Sequence, residues 1–396
     1  MPKNNFAKYS LAAGLSSFGD GMQNIALPWL ILSSTKSPMA IGLAIAIKYI
    51  PSLIFAPFAG VLSDRLDSKK TVIIVDGIQA ILVSLIFTYA YFELDFVYFL
   101  YILQFLLGLA YTIYKPADKT LVREAFYDTE IIKVSSRISP IYMIAALLGA
   151  GFAGFIISIF SLASCFAINA LSFVFAIAIN SGLIRVQKRQ LFKRQHTMLK
   201  DLSLAWSYVK EKEGMLELLL LTIIGSASLR IVITILSPYV VFDLSGDSRT
   251  YGLLEMSFTA GGAITGFFVQ PLLRYLGNNL FRWTILGIAI SSVLLGLSSN
   301  GIISAIILFC LGFFTMTHLV SMHSLLTINS PKDMLGRIVG LRGTLASAIK
   351  VFSALVAGFA VTATSASTVF IIFGLIAFVS LFFPLGINKV VIPQDN

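Results

Sequence analysis

The chain has 396 residues, of which 57% are hydrophobic and only 12% charged, with a net charge of +10 and a mean hydropathy of +0.88. Soluble domains carry about 25% charged residues, so a water-soluble globule is excluded, and so is a disordered chain, which needs low hydrophobicity. Two cysteines, Cys165 and Cys310, both in apolar runs, exclude a disulfide scaffold, leaving an all-α integral membrane protein.

Apolar stretches of bilayer-spanning length, roughly 20 residues each, run through the sequence in order. They fall at 8–33, 39–62, 71–92, 97–115, 135–159 and 162–183, then at 216–241, 250–274, 281–299, 301–323, 338–362 and 366–388. The first lacks a clear small-residue cleavage site and is read as a retained helix. One long charged stretch, Leu183 to Glu213, carries Arg185, Lys188, Arg189, Lys193, Arg194, Lys200, Lys210 and Lys212. Twelve transmembrane helices are therefore expected as two six-helix bundles, at 1–183 and 216–396, joined by a linker at 184–215.

Basic residues sort the loops. The set containing both termini and the linker holds 23 Lys and Arg, while the other set holds only Lys36 and Arg249. By the positive-inside rule, both termini face the cytoplasm of a cell (inner) membrane. This bias accounts for most of the net charge without a nucleic-acid partner.

The two halves echo each other. Gly60-Val61-Leu62-Ser63-Asp64-Arg65-Leu66 ends the second span, and Gln270-Pro271-Leu272-Leu273-Arg274-Tyr275-Leu276 ends the eighth, 210 residues later. Ala153-Gly154-Phe155 returns as Ala357-Gly358-Phe359 at an offset of 204. Parallel halves with a site at their interface are what such repeats predict.

Ionisable residues inside the spans are the local signal for a polar path. Asp20 lies near the middle of the first span, Lys48 in the second, Arg230 in the seventh and Lys350 in the eleventh, with Glu255 shallower in the eighth. Each costs about 2.5 kcal/mol or more against lipid, so each is expected to face a cavity or to pair within the bundle, as an Asp20 and Lys48 pair would. Gln23 and Asn24 follow Asp20 by a turn, and Trp29, Tyr49, Tyr111 and Tyr114 offer apolar walls. Three cations against two acids favour an anionic or zwitterionic cargo. Asp20 or Glu255 is placed to carry a coupling proton.

The run Gly60-Val61-Leu62-Ser63-Asp64-Arg65-Leu66-Asp67-Ser68-Lys69-Lys70 resembles the loop between helices 2 and 3 of the major facilitator superfamily, with Asp67 where that family often has Gly. Gly19-Asp20, Ala26-Leu27-Pro28-Trp29 and Leu335-Gly336-Arg337-Ile338-Val339-Gly340-Leu341 are similar to its macrolide-efflux and siderophore-exporter branch. The resemblance implies the major facilitator fold and a secondary exporter working by alternating access. Its cargo would be a drug or siderophore, and its coupling proton antiport. It also implies a gate in which Gly60 permits close packing, Asp64 faces a helix end and Arg65 pairs with Asp118. Drug antiporters often carry Gly-Pro in helix 5. Gly149-Ala150 stands here, which keeps an uncoupled facilitator open.

Other motifs lead nowhere. Gly149-Ala150-Gly151-Phe152-Ala153-Gly154 fits a dinucleotide fingerprint but has no preceding strand, so close helix packing is expected, as at Gly262 and Gly266. His318 and His323 sit on different faces of one span and are not expected to bind metal. No Walker sequence or hydrolase elbow is present, so no cofactor and no enzyme activity are expected. The expected partners are a small-molecule substrate, protons and membrane lipid, and the expected state is a monomer.

Overall fold

The structure, a computed structural model, describes residues 4–187, 198–277, 279–331 and 334–382. These residues form helices throughout, with no strand among them. The first six are α1 (Asn5–Thr35), α2 (Pro38–Arg65), α3 (Ser68–Tyr91), α4 (Val97–Ala125), α5 (Asp128–Ile159) and α6 (Leu162–Ser181). After α7 (Met198–Glu211) come α8 (Met215–Pro238), a π-helical turn (Tyr239–Asp243), α9 (Ser248–Leu276), α10 (Asn279–Leu297), α11 (Gly301–Ile328), α12 (Leu335–Ala363) and α13 (Ala366–Ser380).

Helix is the structure that lets an apolar segment satisfy its own backbone in lipid. Ten helices, α2 to α6 and α8 to α12, are long and apolar enough to cross a membrane, and α13 is apolar but shorter. The expected spans correspond to α1 to α6 and α8 to α13. Short polar side chains set several boundaries. Asp67 caps α3 by accepting from Lys70 N at 2.9 Å, Asn300 caps α11 by accepting from Ile302 N at 2.9 Å, and Ser365 caps α13 by accepting from Thr368 N at 3.1 Å.

Contacts group the helices into two units. One holds α1 to α6 with Asp247–Met256, and the other holds the described residues from α7 onward except that segment. In the first, α1 packs on α5 and α6, α2 on α4, and α3 on α4 and α6. In the second, α8 packs on α12, and α10 on α11 and α13. The pairings α1 with α5, α3 with α4 and α3 with α6 therefore recur as α8 with α12, α10 with α11 and α10 with α13, which is the repeat seen in the sequence.

Close approach is written in glycine at several crossings, that of α1 and α5 among them. A Cβ on Gly149 of α5 would stand 2.0 Å from Phe18 O of α1, so only glycine lets the two backbones meet there. The false dinucleotide motif is thus a packing surface. Gly266 is different from the expectation: nothing lies within 4 Å of a Cβ built there.

The linker also departs from a plain charged loop, because α7 lies within it. Ala205 and Val209 of α7 are fully buried against Met215, Leu218, Phe281 and Ile338. Their spacing of four with Tyr208 between them makes one apolar stripe, and on the exposed side Lys210 Nζ sits 5.2 Å from the Trp206 ring.

Candidate functional site

The helix α1 carries a polar strip. Asp20 and Asn24, one turn apart, are exposed, and Ser16 one turn earlier is half-buried, while Gly19, Gly21, Met22, Gln23 and Ile25 are buried. Asp20 stands about 22 Å along the helix at 1.5 Å per residue, near its middle. An accessible carboxylate at that depth would cost roughly 2.5–3.5 kcal/mol against hydrocarbon. Lys48 of α2 and the Asn169 amide of α6 both act on the Asp20 carboxylate.

Gln23 turns the other way. Its Oε1 accepts from Asn169 Nδ2 at 2.6 Å, and Ser172 Oγ donates to Asn169 Oδ1 at 3.1 Å. A Cβ on Gly19 would lie 2.1 Å from Asn169 Oδ1, so the missing side chain at position 19 makes room for the amide beside Asp20. Gln23 orients the amide, and Asp20 and Asn24 present to the open side.

A second polar group lies nearer the ends of these helices that carry the basic loops. Tyr9 Oη donates to Asp118, lying 2.8 Å from Oδ1 and 2.9 Å from Oδ2, and it is 3.2 Å from Tyr142 Oη. The partner seen for Asp118 is therefore Tyr9. The expected gate residues Gly60, Asp64 and Arg65 lie on α2, but their side chains fall outside the described residues. Trp29 stacks on Tyr251 with ring centroids 5.5 Å apart, which is a packing contact, and Glu255 on the same segment is buried.

In the second unit, Arg230 of α8 is buried and Lys350 of α12 half-buried. Both are fifteen residues past the first residue of their helices, which pack on each other. Arg342, two turns before Lys350, is half-buried with no hydrogen-bond partner for its Nε. His318 is a structural link: its ring meets Thr284 Oγ1 and Leu221 O, each at 2.9 Å. Among the described residues no group of His, Cys, Asp or Glu is arranged to hold a metal.

Among the ionisable groups that escaped sequence reading, two lie inside spans. One is Arg342. The other is Asp76 of α3, 1% exposed, whose Oδ2 accepts from Asn180 Nδ2 at 3.4 Å. The signal was available for both: Asp76 is the one acidic or basic residue in its apolar span, and Arg342 shares its span with Lys350.

On the loop side, Arg185 pairs with Asp67 and its Nε lies 3.4 Å from Glu124 Oε2. That guanidinium, followed by Lys70 N–H, holds the Asp67 carboxyl below the usual carboxylate range and is itself pushed up. Ser68 Oγ donates to Glu124 Oε2 at 2.5 Å.

The profile of the Major Facilitator Superfamily matches residues 9–349, and the chain belongs to that family. It is accordingly a multi-pass membrane transporter and not an enzyme. Macrolide efflux protein A of Streptococcus pyogenes is 24% identical over 297 residues, covering 73% of this chain and 71% of that protein. The protein of the same name from Enterococcus faecalis is 24% identical over 267 residues, covering 66% and 79%. Among solved structures, the nucleoside transporter NupG superposes with a TM-score of 0.76 at 14% identity, over 98% of this chain and all of that one, which establishes the shared fold.

Proposed function

We propose that the protein is a secondary active exporter of a small amphipathic molecule, working by alternating access and coupled to inward proton movement. The carrying observation is the accessible strip of Asp20 and Asn24 at mid-helix in α1. Hydrocarbon would reject that strip, and a water-lined cargo path accommodates it. Export of a macrolide-type compound is supported by the efflux proteins that the chain resembles. The loop bias supports both termini in the cytoplasm, and the repeat pattern supports six-helix bundles at 1–183 and 216–396 acting around the 184–215 linker as a monomer in the cell membrane.

A second reading takes the cargo as an anion, for example a carboxylate siderophore. Arg230, Lys350 and Arg342 on the packed pair α8 and α12 favour it, because guanidinium and ammonium groups recognise carboxylates. The test is purified protein in liposomes, assayed with radiolabelled erythromycin and with a tricarboxylate siderophore under an imposed pH gradient. The expected result is gradient-dependent movement of erythromycin that a protonophore stops. Movement unaffected by the protonophore makes the protein an uncoupled facilitator, and movement of the siderophore alone selects the anionic cargo.

A further inference from the structure

Of the four acids on α1, α3 and α4, Asp76 has the least support for a negative charge. Asp20 is exposed on α1, Asp118 accepts two contacts from the Tyr9 hydroxyl, and Glu124 accepts from Ser68 Oγ and faces Arg185 Nε. Asp76 is 1% exposed, about 12 Å along α3, and the hydrogen bond to its carboxyl is the long 3.4 Å contact from Asn180. Burying an ionised carboxylate on one neutral donor is expensive. The titratable groups acting on it from the neighbouring helices are Asp118 and Tyr114 of α4, Asp20 of α1 and Tyr142 of α5, all acids or phenols. On its own helix, Lys69 is committed to the carbonyl oxygens of Ser181 at 2.6 Å and Leu183 at 2.9 Å.

A second observation points the same way. Asn180 is 3% exposed, and its Oδ1 has no hydrogen-bond partner in the protein. An amide offers a donor on one side and an acceptor on the other. A carboxylic acid beside it could use the acceptor, which the ionised form cannot. Gln79 Oε1, one turn along α3, is also a buried oxygen without a partner.

We propose that Asp76 is the carboxyl that takes up and gives back the coupling proton, with Asn180 as a partner that serves both of its states. With the proton bound, Asp76 O–H donates to Asn180 Oδ1. On release the proton passes to water of the transport path, and the carboxylate accepts from Asn180 Nδ2 after the amide turns over. Asp20 is then left to the cargo side of the site. This rests on the proton-coupled reading above and moves the proton from Asp20 to Asp76.

The test is infrared titration of the full-length protein in lipid bilayers, which reads protonated carboxyls without any transported cargo. The wild type is expected to show a buried carboxylic-acid band that disappears as pH rises, Asp76→Asn to lack that band, and Asp76→Glu to restore a shifted one. Asn180→Leu is expected to move the titration midpoint. A full titrating band in Asp76→Asn, or a midpoint unmoved in Asn180→Leu, overturns the assignment. In liposomes, Asp76→Asn is expected to reduce pH-gradient-driven erythromycin movement to that of protein-free vesicles. Retained gradient-driven movement, or a wild type driven by a sodium gradient instead, also overturns it. A wild type that moves no erythromycin yet shows the Asp76-dependent band supports the proton site and defeats only the macrolide reading.

Discussion

Arg185 donates from Nη1 to Asp67 Oδ2 at 2.9 Å, and this pair ties the chain leaving α6 to the start of α3. Asp67 does two jobs, capping α3 and holding Arg185. The residues beyond are stitched down as well: Val186 N and Gln187 N both donate to Glu124 O, at 2.8 and 3.1 Å. Asp67→Ala is expected to lose about 1 kcal/mol for the cap and to speed hydrogen exchange at Val186 and Gln187. A double-mutant cycle with Arg185→Ala should show coupling of only about 0.2–1 kcal/mol, because both side chains are about a third exposed.

The same pair makes the clamp acid-sensitive. The carboxyl of Asp67 is held below its ordinary range in the folded protein, so its stabilising effect is fully present above the unfolded value of about 3.9. It is lost as pH falls through the lower folded value. Exchange at Val186 and Gln187 is expected to stay flat, after correction for intrinsic rates, from neutral pH to about 4 and to accelerate only below it. In Asp67→Asn the corrected rate should be high throughout. Acceleration in the wild type that begins near neutrality would point to another group.

Glycine at the crossing of α1 and α5 is expected to be irreplaceable. Gly149→Val places a Cβ 2.0 Å from Phe18 O, and overpacking of this kind costs about 1–3 kcal/mol or more. Gly266→Ala, into open space, is the matched control. Thermal unfolding of the purified proteins should show a lower midpoint for the first and little change for the second, and equal midpoints would deny the packing role.

Asp20 is expected to be essential for transport and dispensable for folding. Asp20→Asn keeps the shape and removes the charge on the accessible strip, so export of erythromycin should fall to background while size-exclusion behaviour is unchanged. Gln23→Leu should behave differently. It strips the buried Asn169 amide of its 2.6 Å acceptor and should lower stability by about 1–3 kcal/mol. Wild-type export from Asp20→Asn would remove Asp20 from the site.

Hydropathy made the spans and their division into repeats legible, because a bilayer demands long apolar runs whatever the tertiary fold. Asp20 was legible for the converse reason, as an acid where lipid forbids one. Side-chain direction was harder to read. Gln23 and Asn24 are neighbours in sequence, and only the position of Asn169, 146 residues away, separates the orienting residue from the exposed one. The packing of α7 was hidden because Ala205, Tyr208 and Val209 form a short stripe just after a run of basic residues. Asp76 shows the opposite failure: its isolation in an apolar run was as plain as that of Asp20.

The polarity of α1 also bears on how the protein is made. Although 31 residues long, α1 is not among the ten helices that meet both the length and the apolarity conditions. A nascent segment with an aspartate and an asparagine at its centre partitions poorly into lipid by itself. Its integration should therefore wait for α2, so that the two enter as a helical hairpin and α1 alone stays outside the bilayer.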